Sequence, residues 1–391
     1  MFNMVASSHS SLVITGDCIK DSPVQPSPFI SESANLFSKF PTHISADSWE
    51  LWEFDTFSPD GTVALGCSLY RDARGVDKGG FHAEVNALWP DGKHWGETLY
   101  FAQSEIDEDE TGMVLGNWKA GTNEGGGSIS FNIAADCSVA TLRFTVPGKL
   151  QGVMALRSIT AAPPSSSFPS TEGEAQLCPE VYYMFPMGPV LASFDGTFTF
   201  PLGNSEEIRN LRISDGRGGM VRGWSSRPWP TFMNDAYYVV AHVGPYMFQI
   251  LRVLGSIFVQ HKPYAVARLY YNGELVCAAN DIADPAASAT DEGLPRNTVR
   301  IVKILPEDSI GLAGVFRDAN VGYVIEFEII PQTRTWKFNV AHRRAVWSEA
   351  TSAPGPNSTG KSGWIEAISG GLEGENYEGT GFGGQLQIPV P

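Results

Sequence analysis

Turn signals punctuate this chain at short, even intervals, and that rhythm confines it to antiparallel β architecture. Pro59-Asp60-Gly61, Lys78-Gly79-Gly80 and Pro90-Asp91-Gly92 separate short runs in which apolar and polar side chains alternate, as in FHAEVNALW. Alternation at period two marks a half-buried strand, and regular turns between such runs point to a sandwich or barrel. Further strands are expected at residues 98–102, 128–134, 141–146 and 151–157. The strongest local signal is ARLYYNGELVCA, where Asn272-Gly273 suits the two positive-φ positions of a type I′ hairpin turn. Strands are expected again at 298–305, 323–330 and 335–340. No long segment carries a helical period.

The 391 residues are enough for two domains, and 42% apolar content with 41 Gly and 26 Pro supplies core material and many turns. Residues 1 to about 40, rich in Ser and Pro, are expected as an irregular arm. The run AAPPSSS at 161–167 is read as a surface loop. The Gly/Pro/Trp-rich run at 215–232 is the better boundary, after which a new series of hairpins begins. This gives an N-terminal β-sandwich at 1–232 and a C-terminal antiparallel barrel at 233–391, small and with a ligand-sized interior.

Several functions are disfavoured by what the chain contains. A formal charge of −16 has the wrong sign for gripping phosphate backbones, so nucleic acid is not an expected partner. Five scattered cysteines form no C-x-x-C pair and read as reduced thiols. The N-terminal stretch MFNMVASSHSSLVITGDCIK lacks the basic and apolar regions of a secretory leader, and the apolar stretch at 237–260 is broken by His242, Gly244-Pro245, Gln249 and Arg252. A soluble, cytoplasmic protein without a membrane span is expected, and the lone sequon Asn357-Ser358-Thr359 is weak counter-evidence. Gly379 to Gly384 fits G-x-G-x-x-G, but too little chain follows for a cradling helix. The acidic run starting at Asp107 has Trp118 where a calcium loop needs its last Glu. Neither H-E-x-x-H nor G-x-S-x-G occurs. No metal or organic cofactor is expected.

The nine residues WELWEFDTF, from Trp49 to Phe57, pose the central question. In an extended chain Trp49, Leu51, Glu53, Asp55 and Phe57 share one face, while Glu50, Trp52 and Phe54 share the other. Whichever face is buried, a carboxylate lies among apolar groups. That is costly unless it is paired, hydrogen-bonded or protonated, so the strand borders a polar network or a pocket.

Glu50-Leu51-Trp52-Glu53-Phe54-Asp55 is similar to the E-W-W-Y-F-D signature of the lipocalin-like carotenoid hydratase and AttH superfamily, departing from it at Leu51 and Glu53. His242-Val243-Gly244-Pro245-Tyr246 looks like the mark of that superfamily's second domain. The chain as a whole resembles the fungal decalin synthases, the pericyclases called Diels-Alderases. The resemblance implies a β-sandwich, a lipocalin-like barrel and a large pocket where they meet. It also implies a substrate, a linear polyenoyl tetramic acid from a polyketide synthase fused to a peptide synthetase, closed to a decalin by intramolecular [4+2] cycloaddition without a cofactor.

On that resemblance Lys361, Asn86 and Glu50 are the candidate catalytic residues, with Lys361 a loop cation facing an acidic enol. Trp347, Trp224, Tyr182, Tyr183 and Trp52 are the candidate substrate-lining residues. From the residues alone, Glu50 could equally make a structural hydrogen bond and Asn86 could face solvent. Two other functions compete: a carotenoid-type hydratase, with Glu50 or Asp55 as acid, and a noncatalytic carrier of a hydrophobic metabolite.

Overall fold

The computed structural model describes residues 7–15, 17–121, 126–202, 205–280, 296–305, 320–330, 332–354 and 358–389. Asn357 of the sequon lies outside them. The chain is all-β and forms two large sheets with a sandwich-like N-terminal half and a lipocalin-like C-terminal barrel. Every strand expected from alternation is present, extended by one or more residues in most cases.

The N-terminal sheet folds back on itself. Strand Trp49–Phe57 lies between Ser205–Ser225 and Ala64–Asp72, yet its Trp52 ring meets Trp118 edge-on at 5.6 Å and Phe131 at 5.8 Å, both from strands far along the sheet. Trp52, Phe54 and Trp118 are fully buried. Each such side chain contributes about 1.5–3 kcal/mol by leaving water. The expected irregular arm is partly ordered. Ser8–Val13 pairs with Gln103–Glu108 because SHSSLV alternates, with Leu12 turned inward.

The second sheet runs from Glu274–Ala279 through Pro263–Tyr271, Tyr246–Leu254, Asp235–Val243, Tyr377–Gln387, Gly360–Leu372, Arg334–Ala350 and Gly322–Ile330 to Arg296–Ile304. Its two edge strands approach each other, so the barrel nearly closes. Asn272 and Gly273 both have positive φ, 49° and 82°, as their hairpin requires. Among the described residues, large aromatic side chains crowd the barrel interior expected to be ligand-sized. Tyr237, Phe248, Phe327, Trp336 and Phe338 fill it and are all buried.

The glycine-rich run from 215, expected as the boundary, lies for more than half its length within a strand. Residues up to Ser225 belong to a 21-residue strand, and the chain passes to the second sheet through the short turn Trp229–Thr231. The glycines there serve close approach. A Cβ on Gly218 would sit 1.9 Å from the Asp55 carbonyl oxygen.

Candidate functional site

Between the two sheets lies a cavity of about 550 Å³. Side chains from both sheets line it, and the strand Trp49–Phe57 supplies the floor with Trp49, Leu51, Glu53 and Asp55. Cross-strand register extends that floor in rows. Glu53 lies opposite Ser68, which lies opposite Glu84. Asp55 lies opposite Gly66, which lies opposite Asn86. All six line the cavity.

The other face of the same strand looks into the sandwich core. Glu50 and Trp52 are buried there and do not line the cavity, which corrects the expectation that they meet a substrate. Glu50 accepts hydrogen bonds from the Ser38 hydroxyl (2.6 Å), the Lys39 backbone N–H (2.8 Å) and Arg222 Nη2 (2.8 Å), with Arg71 Nη1 at 3.6 Å. Two of those partners come from the N-terminal arm. Trp224 sits directly opposite Glu50, and Tyr182 directly opposite Trp224. Register therefore carries Trp224 and Tyr182 onto the core face too, stacked on each other at 4.6 Å. The Tyr182 hydroxyl donates to Glu172. Tyr183, one residue on, is the tyrosine that faces the cavity.

Lys361 is not in a loop. It stands near the start of the strand Gly360–Leu372 and reaches across to the N-terminal sheet, where Nζ lies 3.0 Å from Glu84 Oε2. A second carboxylate, Glu349 Oε2, lies 3.2 Å away. Burial pulls the Lys361 ammonium down, but the two carboxylates outweigh it and hold the group above its ordinary value. Asn86 makes no side-chain hydrogen bond among the described residues, so its amide is available to a ligand. Trp347 lies over Gly363, where a Cβ would come within 2.2 Å of the indole, and meets Phe382 edge-on at 5.6 Å. The structure thus gathers Asn86, Lys361, Trp347 and Tyr183 around one space and places Glu50, Trp52, Trp224 and Tyr182 behind it.

Several cavity residues were not assigned to a cycloaddition site from the sequence, Asp55 having been named only as an acid for the hydratase alternative. Glu53 and Asp55 share a hydrogen bond, and the Tyr238 hydroxyl donates to Asp55 at 2.6 Å. Burial, and then the neighbouring Asp55, raise the Glu53 carboxyl far above its ordinary range. Burial also raises Asp55, to about 7, against the pull of the Tyr238 and Glu53 hydrogen bonds. Such a pair shares a proton near neutral pH. Arg74 is a second cation in the wall, tied to Asp72 at 2.6 Å. Trp49 and Trp229 stack at 4.3 Å and add aromatic surface. Alternation had put Glu53 and Asp55 on one face with Trp49, but alternation alone does not say which face meets the cavity.

The Diels-Alderase-like family model matches residues 7–389. The chain belongs to the Diels-Alderase family. It is 63% identical to Diels-Alderase phm7 of Pyrenochaetopsis sp, over 98% of this chain and 99% of that one. It is 38% identical to Diels-Alderase fsa2 of Fusarium heterosporum, over 95% and 96%. The crystal structure of CghA superposes with a TM-score of 0.87 at 32% identity, covering 98% of this chain and 99% of that one, and the structure of CghA with Sch210972 superposes with a TM-score of 0.86. This Diels-Alderase is therefore an enzyme of cycloaddition chemistry, of the branch that the sequence resembled. Among its described residues no helix is long and apolar enough to cross a membrane.

Proposed function

We propose that this Diels-Alderase takes a linear polyenoyl tetramic acid, the product of a polyketide synthase joined to a peptide synthetase, and closes it to a decalin by intramolecular [4+2] cycloaddition. The supporting observation is the division of the cavity. Asn86, Glu84 and Lys361 gather polar groups together, while Trp347, Phe382, Tyr183, Leu51, Trp49 and Trp229 give an aromatic and aliphatic wall. A volume of about 550 Å³ suits one ligand of this size. The acidic head would sit by Lys361 and Asn86, with the polyene curled against Trp347.

Cycloaddition transfers no proton and no electron pair to the protein, so shape and field supply the catalysis. Holding the flexible chain as one reactive conformer removes entropy before the barrier. Donation from Lys361 or Asn86 to the carbonyl conjugated with the dienophile lowers its acceptor orbital. A charge-assisted hydrogen bond of about 1.5–3 kcal/mol, fully expressed in the transition state, is worth roughly 10- to 100-fold in rate. On this reading no cofactor takes part.

The test is to incubate purified protein, dialysed against chelator, with a linear polyenoyl tetramic acid and follow loss of polyene absorbance and the product isomers. Acceleration with one dominant decalin isomer is expected. Restoration of lost activity by a divalent metal or a nicotinamide would refute the cofactor-free reading; an unchanged rate and isomer ratio would refute the substrate.

A further inference from the structure

Lys361 already has two counterions, and they differ in their hold. Glu84 belongs to the cavity floor and its side chain is 24% exposed, whereas Glu349 stands directly opposite Lys361 on the neighbouring strand and is 51% exposed. One ammonium between two carboxylates leaves a local excess of negative charge. A ligand with an anionic head meets that excess as it approaches. Two of the three ammonium N–H groups are also engaged. A carboxylate must yield before the head can take the full field of the cation. Glu349 is the one that can yield at low cost, because water re-solvates a half-exposed side chain, while Glu84 is largely buried in the floor beside Arg74 and His82 and gains little water by moving.

Building on the acidic head assigned above, we propose that Glu349 is a displaceable counterion that competes with the ligand for Lys361 and so sets the affinity of the cavity for anionic heads. It acts through Lys361 and not on the reacting carbons. Its place makes it a specificity residue: with Glu349 seated, the polar end favours neutral heads, and with Glu349 swung into solvent it favours acidic ones.

The experiment compares two probes, a short 3-acyl tetramic acid, anionic at neutral pH, and its neutral O-methyl ether. Binding is read from tryptophan fluorescence, since Trp49, Trp229 and Trp347 line the cavity. Glu349→Gln should tighten the acid roughly 2- to 5-fold, the range of a part-exposed ion pair, and leave the ether unchanged. Glu349→Asp, which keeps the charge, should stay near wild type. Lys361→Gln should weaken the acid about tenfold or more and spare the ether. If Glu349→Gln leaves the acid unchanged, or shifts both probes alike, the proposal is overturned. If instead Lys361→Gln treats both probes alike, the acidic head itself is misassigned, a separate failure that the same data would show.

Discussion

Two carboxylate sites three residues apart on one strand have opposite fates. Glu50, on the core face, is met by two guanidiniums, a hydroxyl and a backbone N–H, and is fully buried. Glu53, on the cavity face, has no cation within ion-pair distance among the described residues; it has Asp55, Ser68 and an open volume of about 550 Å³. The first arrangement spends its polarity on fixing the fold. The arm, the strand Trp49–Phe57 and the strand Ser205–Ser225 are tied at one point. The second is held by neutral and carboxyl partners, without a neutralising cation, beside an open space, which is what a binding wall needs. A buried carboxylate thus marks a site when it borders open space, and a structural tie when its partners fill every side.

The largest effect is expected at Glu50. Glu50→Gln strands Arg71 and Arg222, both fully buried, without their anion. Loss of one partner from a buried pair costs about 3–5 kcal/mol, so the urea midpoint should fall sharply while the isomer ratio of the surviving folded protein holds. A changed isomer ratio with unchanged stability would return Glu50 to the site.

Next in size is Lys361→Ala, for which turnover on saturating substrate should fall roughly 10- to 100-fold, beyond what the accompanying drop in melting temperature from the broken Glu84 ion pair accounts for. Full turnover would remove Lys361 from the polar end. Trp347→Ala should act on outcome more than on rate. Without the ring the polyene has room for competing folds, and the product ratio should drift toward that of the spontaneous reaction. Chromatographic isomer ratios, recorded beside melting curves, separate this from simple unfolding.

A pH-dependent effect is expected at Asp55. Its folded value is raised from 3.8 to about 7, so between those pH values the folded chain keeps a proton that the unfolded chain gives up. This contribution to stability is complete below the unfolded value and is lost as pH rises through the folded one. Asp55→Asn should flatten the decline in stability across that window, measured by melting at a series of pH values. An unaltered slope would mean that the pair does not share a proton.

The fold was largely legible in the sequence, because alternation and turn chemistry are local and WELWEFDTF, FHAEVNALW and the Asn272-Gly273 hairpin carry them openly. The site was legible only in part. Resemblance pointed to Asn86, Lys361, Trp347 and Tyr183, which the structure gathers round one cavity. It also pointed to Glu50, Trp52, Trp224 and Tyr182, and these fail together for one reason. They occupy neighbouring rows of the same face, and the packing of that face into the sandwich core carries all four away from the cavity together. The deciding information is long-range, since only the packing of Trp52 on Trp118 and Phe131 shows which side is core. One local clue existed. The two positions at which the chain departs from the broader superfamily signature, Leu51 and Glu53, both face the cavity.

The central claim, that the chemistry takes place between the sheets on the Glu53 face, is tested most directly by a crystal structure with a decalin tetramic acid product bound. The account predicts ligand density within the inter-sheet cavity, its acidic ring within hydrogen-bonding distance of Lys361 and Asn86 and its decalin against Trp347. Density inside the barrel, or a ring turned away from Lys361 toward the Trp49–Trp229 stack, would contradict it.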